Sequence, residues 1–166
     1  MDPAQAAKAK AVIVKVVESE GLPTTFINLA MLQLAHETGG FKSKISRVNN
    51  LSGIKYSVNG YGRNSGILPP KNEGPTPYAA YDTLELWAKD YLRILKKSNA
   101  HRATSIEDFA SRLKSKGYFT DTLSNYTKAL KSWQPQISRL PTISTGGTIS
   151  ILLIVIVISS IIILYK

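Results

Sequence analysis

The chain has 166 residues and no cysteine, with 21 Lys and Arg against 11 Asp and Glu, so its formal net charge is +10 and its pI about 9.8. That length accommodates one globular unit with an appendage, and the lack of cysteine removes disulfides and thiolate chemistry. The charge favours an anionic partner: a nucleic acid, an acidic membrane surface or a wall polymer.

Asp2 as a cap and Pro3 at the first helical position predict a helix through "AVIVKVV" that stops near Gly21, with Ala9, Val12, Ile13 and Val16 inward. After "GLPTT" a threonine cap starts a second helix, in which Ile27, Ala30, Met31, Leu34 and Ala35 recur at helical spacing. Glu37 falls beside Ala30 on this helix, at the edge of the apolar stripe. Residues 44–80 are rich in Gly, Asn and Pro and predict a small β or irregular lobe of short strands, with Asn59-Gly60 as the best turn signal.

Helical signals return in "DTLELWAKDYLRILKK". There Asp82 and Glu85 have capping-box spacing, and Leu84, Trp87, Ala88, Tyr91, Leu92 and Leu95 form one stripe. Thr104 and Glu107 repeat that spacing ahead of Ile106, Phe109, Ala110 and Leu113, with Gly117 as terminator. A last helix is expected over about 122–133, followed by a Pro/Ser/Thr/Gly linker. Residues 149–165 carry no charge, and at about 1.5 Å per residue reach about 26 Å, near the lower limit for crossing a bilayer. The expected organisation is a mainly α domain over 1–134 with a small β lobe, a linker over 135–147 and a transmembrane anchor over 148–166.

The chemistry narrows by elimination. Two histidines, no cysteine and an "HETGG" without a second histidine argue against zinc hydrolysis, and neither a phosphate-cradling loop nor a GxSxG turn occurs. No cofactor is expected. Among the 11 carboxylates, Asp2, Asp82, Glu85, Glu107 and Asp108 fit caps or first turns, and Glu18, Glu20 and Asp90 fit solvated faces. Glu37, Glu73 and Asp121 are left. Glycoside hydrolysis requires a protonated carboxyl beside the leaving oxygen and commonly a second carboxylate across the sugar. A helix C-terminus and an apolar stripe both favour protonated Glu37. The two glycines after it remove side chains where a sugar ring would approach.

"LAHETGGFKSK", "NNLSGIK", "YAAYDTLELWAKDYLRIL" and "FASRLKSKGYFTDTLSNYTKAL" occur in the order and spacing of family 73 glycoside hydrolases, and the chain resembles their glucosaminidase domains over residues 25–133. The resemblance implies a lysozyme-like helical fold that hydrolyses the β-1,4 bond after N-acetylglucosamine in peptidoglycan. It implies Glu37 as catalytic acid, and Asn49, Asn50, Gly53, Ile54 and Lys55 as a cleft-forming segment with either a structural role or, for Asn49, Asn50, Gly53 and Lys55, a substrate-binding one. It also implies Tyr118 facing the cleft, where its hydroxyl would serve catalysis by orienting the reacting group. Asp121 matches the aspartate of the GYxTD motif and reads as a helix cap. Glu73, the sole acid between Glu37 and Asp82, is the candidate second catalytic group. Ser52 stands where the family usually has an aromatic, and "YAAY" where it has F-R-x-Y.

The expected partners are peptidoglycan strands and a lipid bilayer gripped by the C-terminal helix, with no nucleic acid because the aromatics lie at core spacing. The expected location is a membrane, with the catalytic domain facing the wall or carried in a virion with an internal membrane. The competing reading is a catalytically silent glycan-binding or structural membrane protein.

Overall fold

The structure is a computed structural model in which residues 1–141 are described. Helix α1 (Pro3–Ser19) starts as its sequence dictates: the Asp2 carboxylate accepts from the Ala4 and Gln5 N–H groups at 3.1 Å each. It buries Ala6, Ala9, Ile13, Val16 and Val17.

Helix α2 (Thr25–Glu37) departs from the one-stripe expectation, since every residue from Phe26 to Ala35 except Asn28 is buried. The reason is its central position: α1 lies against it, as do two later helices, so more than one face is covered. Thr24 is its cap residue but makes no side-chain capping bond.

What ends α2 is a hydroxyl and a left-handed turn. Thr38 Oγ1 donates to the Leu34 carbonyl at 2.6 Å and accepts from the Phe41 N–H at 2.9 Å, while Gly39, Gly40 and Phe41 all have positive φ. A Cβ on Gly40 would lie 2.9 Å from the Trp133 ring. Gly40 is therefore required by close packing and by its φ of +76°, rather than by room for a sugar.

The small lobe follows. A 3₁₀ turn (Lys44–Val48) leads to β1 (Arg63–Asn64) and β2 (Ala79–Ala80), which pair antiparallel with Arg63 opposite Ala80. Residues 78–80 run through the middle: the Ala79 N–H bonds the Ile54 carbonyl, and the Tyr78 N–H bonds Ile67 on the other side. A turn forms one residue earlier than Asn59-Gly60 predicts: the Gly60 N–H closes on the Ser57 carbonyl at 3.0 Å, so Val58 and Asn59 are its central residues.

The remaining helices are α3 (Leu84–Lys97), α4 (Ile106–Ser115), α5 (Leu123–Ser132) and α6 (Gln134–Ile137). The caps of α3 and α4 fall one residue later than expected. Thr83 accepts from Leu86 N–H and Ser105 from Asp108 N–H, because these two residues have the extended φ/ψ that a cap requires. On α3, Trp87, Ala88, Tyr91, Leu92 and Leu95 are buried, with the Trp87 and Tyr91 rings stacked 5.8 Å apart. Asp90, expected on a solvated face, is buried instead. It accepts from the Tyr81 hydroxyl at 2.9 Å and the Tyr61 N–H at 3.3 Å, and Arg93 neutralises it at 2.6 Å.

The core continues beyond residue 134. Ile137 and Leu140 are buried, and the Lys10 ammonium donates to the Leu140 and Pro141 carbonyls, so the first part of the expected linker belongs to the domain.

The described fold is mainly helical with a two-stranded sheet, and this corrects the expectation of a fold that includes a transmembrane helix. Among the described residues no helix is long and apolar enough to cross a membrane. The longest, α1, has 17 residues and carries Lys8, Lys10 and Lys15. The stretch 148–166 lies outside the described residues, and none of them supports the bilayer contact or the virion carriage that rested on it.

Candidate active site

A cleft of about 500 Å³ opens between the helices and the small lobe. Its lining brings together six of the sequence-predicted residues, Glu37, Gly53, Ile54, Lys55, Glu73 and Tyr118, with Ser52 and, from α3, Arg93 and Lys97.

Glu37 stands at the C-terminal end of α2 and faces the cleft. The residue is exposed to the cleft, yet the protein packed around its carboxyl pushes the pKa up to about 7, chiefly by desolvation. A hydrogen bond from Tyr126 opposes that rise, and the negative charge of Glu73 adds to it. The Tyr126 hydroxyl donates to Glu37 Oε1 at 3.2 Å. Two rings hold Tyr126 in place: Phe119 stacks on it at 3.8 Å, and His36 meets it edge-on at 5.1 Å. Burial lowers the His36 pKa, which the charge of Asp121 partly offsets, so His36 is a neutral packing partner near pH 7.

Beneath Glu37, one helical turn back, Gln33 is fully buried. Its Oε1 accepts from the Tyr91 hydroxyl at 2.6 Å, while its Nε2 has no hydrogen-bond partner. Burial and the Glu37 charge both raise the pKa of Tyr118 and of Tyr126, and a contact with Gln33 opposes the rise in each. Both phenols therefore stay protonated near neutral pH and can donate a hydrogen bond. Tyr118 is placed by the end of α4: Gly117 turns the chain at φ +68°, and the Tyr118 N–H bonds the Leu113 carbonyl at 3.1 Å.

Glu73 ends a 3₁₀ turn (Lys71–Glu73) and is held from two sides, by Lys55 Nζ at 3.0 Å and the Tyr78 hydroxyl at 3.4 Å. The Lys55 ammonium also lies 4.8 Å from the centre of the Tyr78 ring.

Asn49 and Asn50 are not among the cleft-lining residues. Asn49, left-handed at φ +55°, donates to the Tyr81 carbonyl at 2.9 Å. The Asn50 amide is fully engaged by backbone: Nδ2 donates to Ile54 and Ala79, and Oδ1 accepts from Ser52 and Ile54. Ser52 accepts from the Trp87 indole N–H at 2.9 Å, which joins the cleft segment to α3. Asp121, expected as a helix cap, is displaced by its neighbour: Thr122 caps α5 by accepting from the Asn125 N–H at 3.2 Å, and Asp121 accepts from the Thr122 N–H at 2.6 Å and from the Asn125 amide.

A model of the glucosaminidase family, described as mannosyl-glycoprotein endo-beta-N-acetylglucosaminidase, matches residues 13–138. The chain belongs to this family. It is a glycoside hydrolase of the endo-β-N-acetylglucosaminidase type. Among solved structures it is similar to the glycoside hydrolase domain from Salmonella typhimurium FlgJ, at 21% identity and a TM-score of 0.57, over 84% of this chain and 94% of that one. A peptidoglycan hydrolase mutant from Sphingomonas sp. A1 matches at 25% identity and a TM-score of 0.49, over 77% and 87% of the two chains. No curated protein matches. The first of these likenesses concerns the fold: it agrees with the lysozyme-like, mainly helical architecture of this glucosaminidase.

Sequence reasoning missed Arg93 and Lys97 on the wall of this glucosaminidase cleft, and Tyr126 and Gln33 buried behind it near Glu37. Tyr126 and Leu130 are four residues apart and both buried, which in a sequence reads as a core stripe. Only the packing of α5 on α2 reveals that the hydroxyl end of Tyr126 meets Glu37.

Proposed function

We propose that this glucosaminidase cleaves the β-1,4 bond after N-acetylglucosamine in peptidoglycan, with Glu37 as general acid. The observation that carries the reading is a carboxyl with a pKa of about 7 facing a cleft that also holds a second carboxylate. A general acid works best with a pKa near the working pH. The Glu37 proton passes to the glycosidic oxygen as the bond from that oxygen to the anomeric carbon breaks. Glu73 takes a proton from the water that attacks the anomeric carbon, and Lys55 orients Glu73. Tyr118 supplies a neutral hydroxyl that orients the reacting group, and Gly53 leaves room for the sugar. Asn49 and Asn50 act on substrate indirectly, by shaping the segment that carries Gly53 and Lys55. The +10 charge favours the anionic wall polymer, and such a substrate implies action at the cell wall.

The test is incubation of the full chain with purified peptidoglycan, followed by identification of the reducing-end sugars released. N-acetylglucosamine at the new reducing ends is expected, together with a loss of about 10²–10⁴ in rate for Glu37→Gln. N-acetylmuramic acid at the new ends, or a Glu37→Gln variant as fast as the parent, would overturn the reading.

A further inference from the structure

The cleft has a basic wall that the acid chemistry does not use. Helix α3 lends it Arg93 and Lys97, four residues apart and so on one face of the helix. Arg93 is held rigidly: its Nε and Nη2 both meet Asp90 Oδ1, at 2.7 and 2.6 Å. Asp90 is itself fixed, with its side chain only 2% exposed and its oxygens taken up by Tyr81 and the Tyr61 N–H. Two of the five guanidinium N–H donors serve Asp90, and the remainder stay available on a side chain that is 29% exposed.

Lys97 differs from its neighbours on α3. Lys89 pairs with Glu85 and Lys96 with Glu20, whereas Lys97 has no ion pair among the described residues. Of the other charges at the cleft, Lys55 balances Glu73 and Asp90 balances Arg93, while Glu37 on α2 is partly protonated near neutral pH. The unmatched charge on this wall is therefore positive, beside a guanidinium whose ordering entropy was lost on folding rather than on binding.

We propose that Arg93 and Lys97 form a carboxylate-binding subsite that engages an acidic group on the glycan strand. The inference rests on the reading of the cleft as a glycan site. In a peptidoglycan strand the carboxylate has two sources: the lactyl group of a muramic acid without its peptide, or the peptide stem where one is attached. A strand of N-acetylglucosamine alone has neither. The subsite thus separates acidic wall glycan from a neutral glycan with the same β-1,4 backbone.

Three probes test this by calorimetry, on the full chain carrying Glu37→Gln so that nothing is turned over. They are a peptide-free tetrasaccharide of alternating N-acetylglucosamine and N-acetylmuramic acid, the same tetrasaccharide with its peptide stems, and neutral chitotetraose. At least one acidic probe is expected to bind about tenfold more tightly than chitotetraose at low salt, and which one does so identifies the carboxylate. Lys97→Gln should weaken that probe about fivefold more than it weakens chitotetraose, and Lys97→Arg should restore most of the loss. Arg93→Lys keeps the charge against Asp90 and should lose part of the preference with the fold intact. Equal binding of all three probes, no binding of any, or an equal loss for all three in Lys97→Gln would overturn the subsite. Lys97-dependent binding of an acidic probe without release of reducing ends by the parent would instead keep the subsite and overturn the hydrolytic reading.

Discussion

The hydroxyl of Tyr126 donates to Oε1 of Glu37 at 3.2 Å, although 89 residues separate the two in the chain. The bond favours the ionised carboxylate and so works against the burial that keeps Glu37 protonated. Tyr126→Phe keeps the ring that Phe119 and His36 hold and removes only that bond. The Glu37 pKa should then rise above its present value of about 7, and the alkaline limb of kcat/KM should move to higher pH by up to about one unit. A pH-rate profile of the variant checks it; a limb that stays put or moves to lower pH contradicts this role for the hydroxyl.

Glu37 also makes stability depend on pH. Its folded pKa of about 7 exceeds the ordinary 4.5, so between these values the folded chain binds more protons than the unfolded one. The contribution of Glu37 is fully present below pH 4.5 and is lost as pH rises through about 7. Glu37→Gln has no proton to lose. Its melting temperature, compared with the parent's, should gain across this window and level off above it. Calorimetric scans at several pH values measure the difference, and a constant offset across the window would refute the shift.

Lys55 and Glu73 form an ion pair whose side chains are 32% and 46% exposed, so Lys55→Ala should lower stability by less than about 1 kcal/mol in urea unfolding. Its effect on rate should be larger, because the turn that carries Glu73 loses its ionic tether and keeps only the longer Tyr78 contact. If Glu73 activates the water, the first product has inverted anomeric configuration, which proton NMR of the fresh hydrolysate reads directly. A retained anomer would remove Glu73 from that role.

Asn50 is fully buried, and its amide makes four contacts with backbone groups at 2.8–3.4 Å. Asn50→Ala leaves the Ile54 and Ala79 carbonyls and the Ile54 N–H without this partner, and should cost about 2–4 kcal/mol of stability. Urea unfolding of the variant should show the lower midpoint. A midpoint equal to the parent's would mean that water or a local shift replaces the amide.

How much of this was legible beforehand follows from the range of each interaction. The Asp2 cap and the α3 stripe of Trp87, Tyr91 and Leu95 depend on neighbours within a few residues, so the sequence by itself determined them. Order and spacing of motifs determined the family in the same way. Caps at Thr83 and Ser105 were displaced by one residue because several adjacent Ser, Thr and Asp side chains compete, and backbone dihedrals choose between them.

Only the tertiary structure decided what Asp90 and Asn50 do, since a buried Asp paired with Arg93 and a solvated Asp on a helix look alike in a local pattern. It also decided that Gly40 makes room for Trp133 and that Tyr126 reaches Glu37. The proton on Glu37 belongs to this second group. A helix end suggests its direction, but its size depends on desolvation, which is set by everything packed around a group.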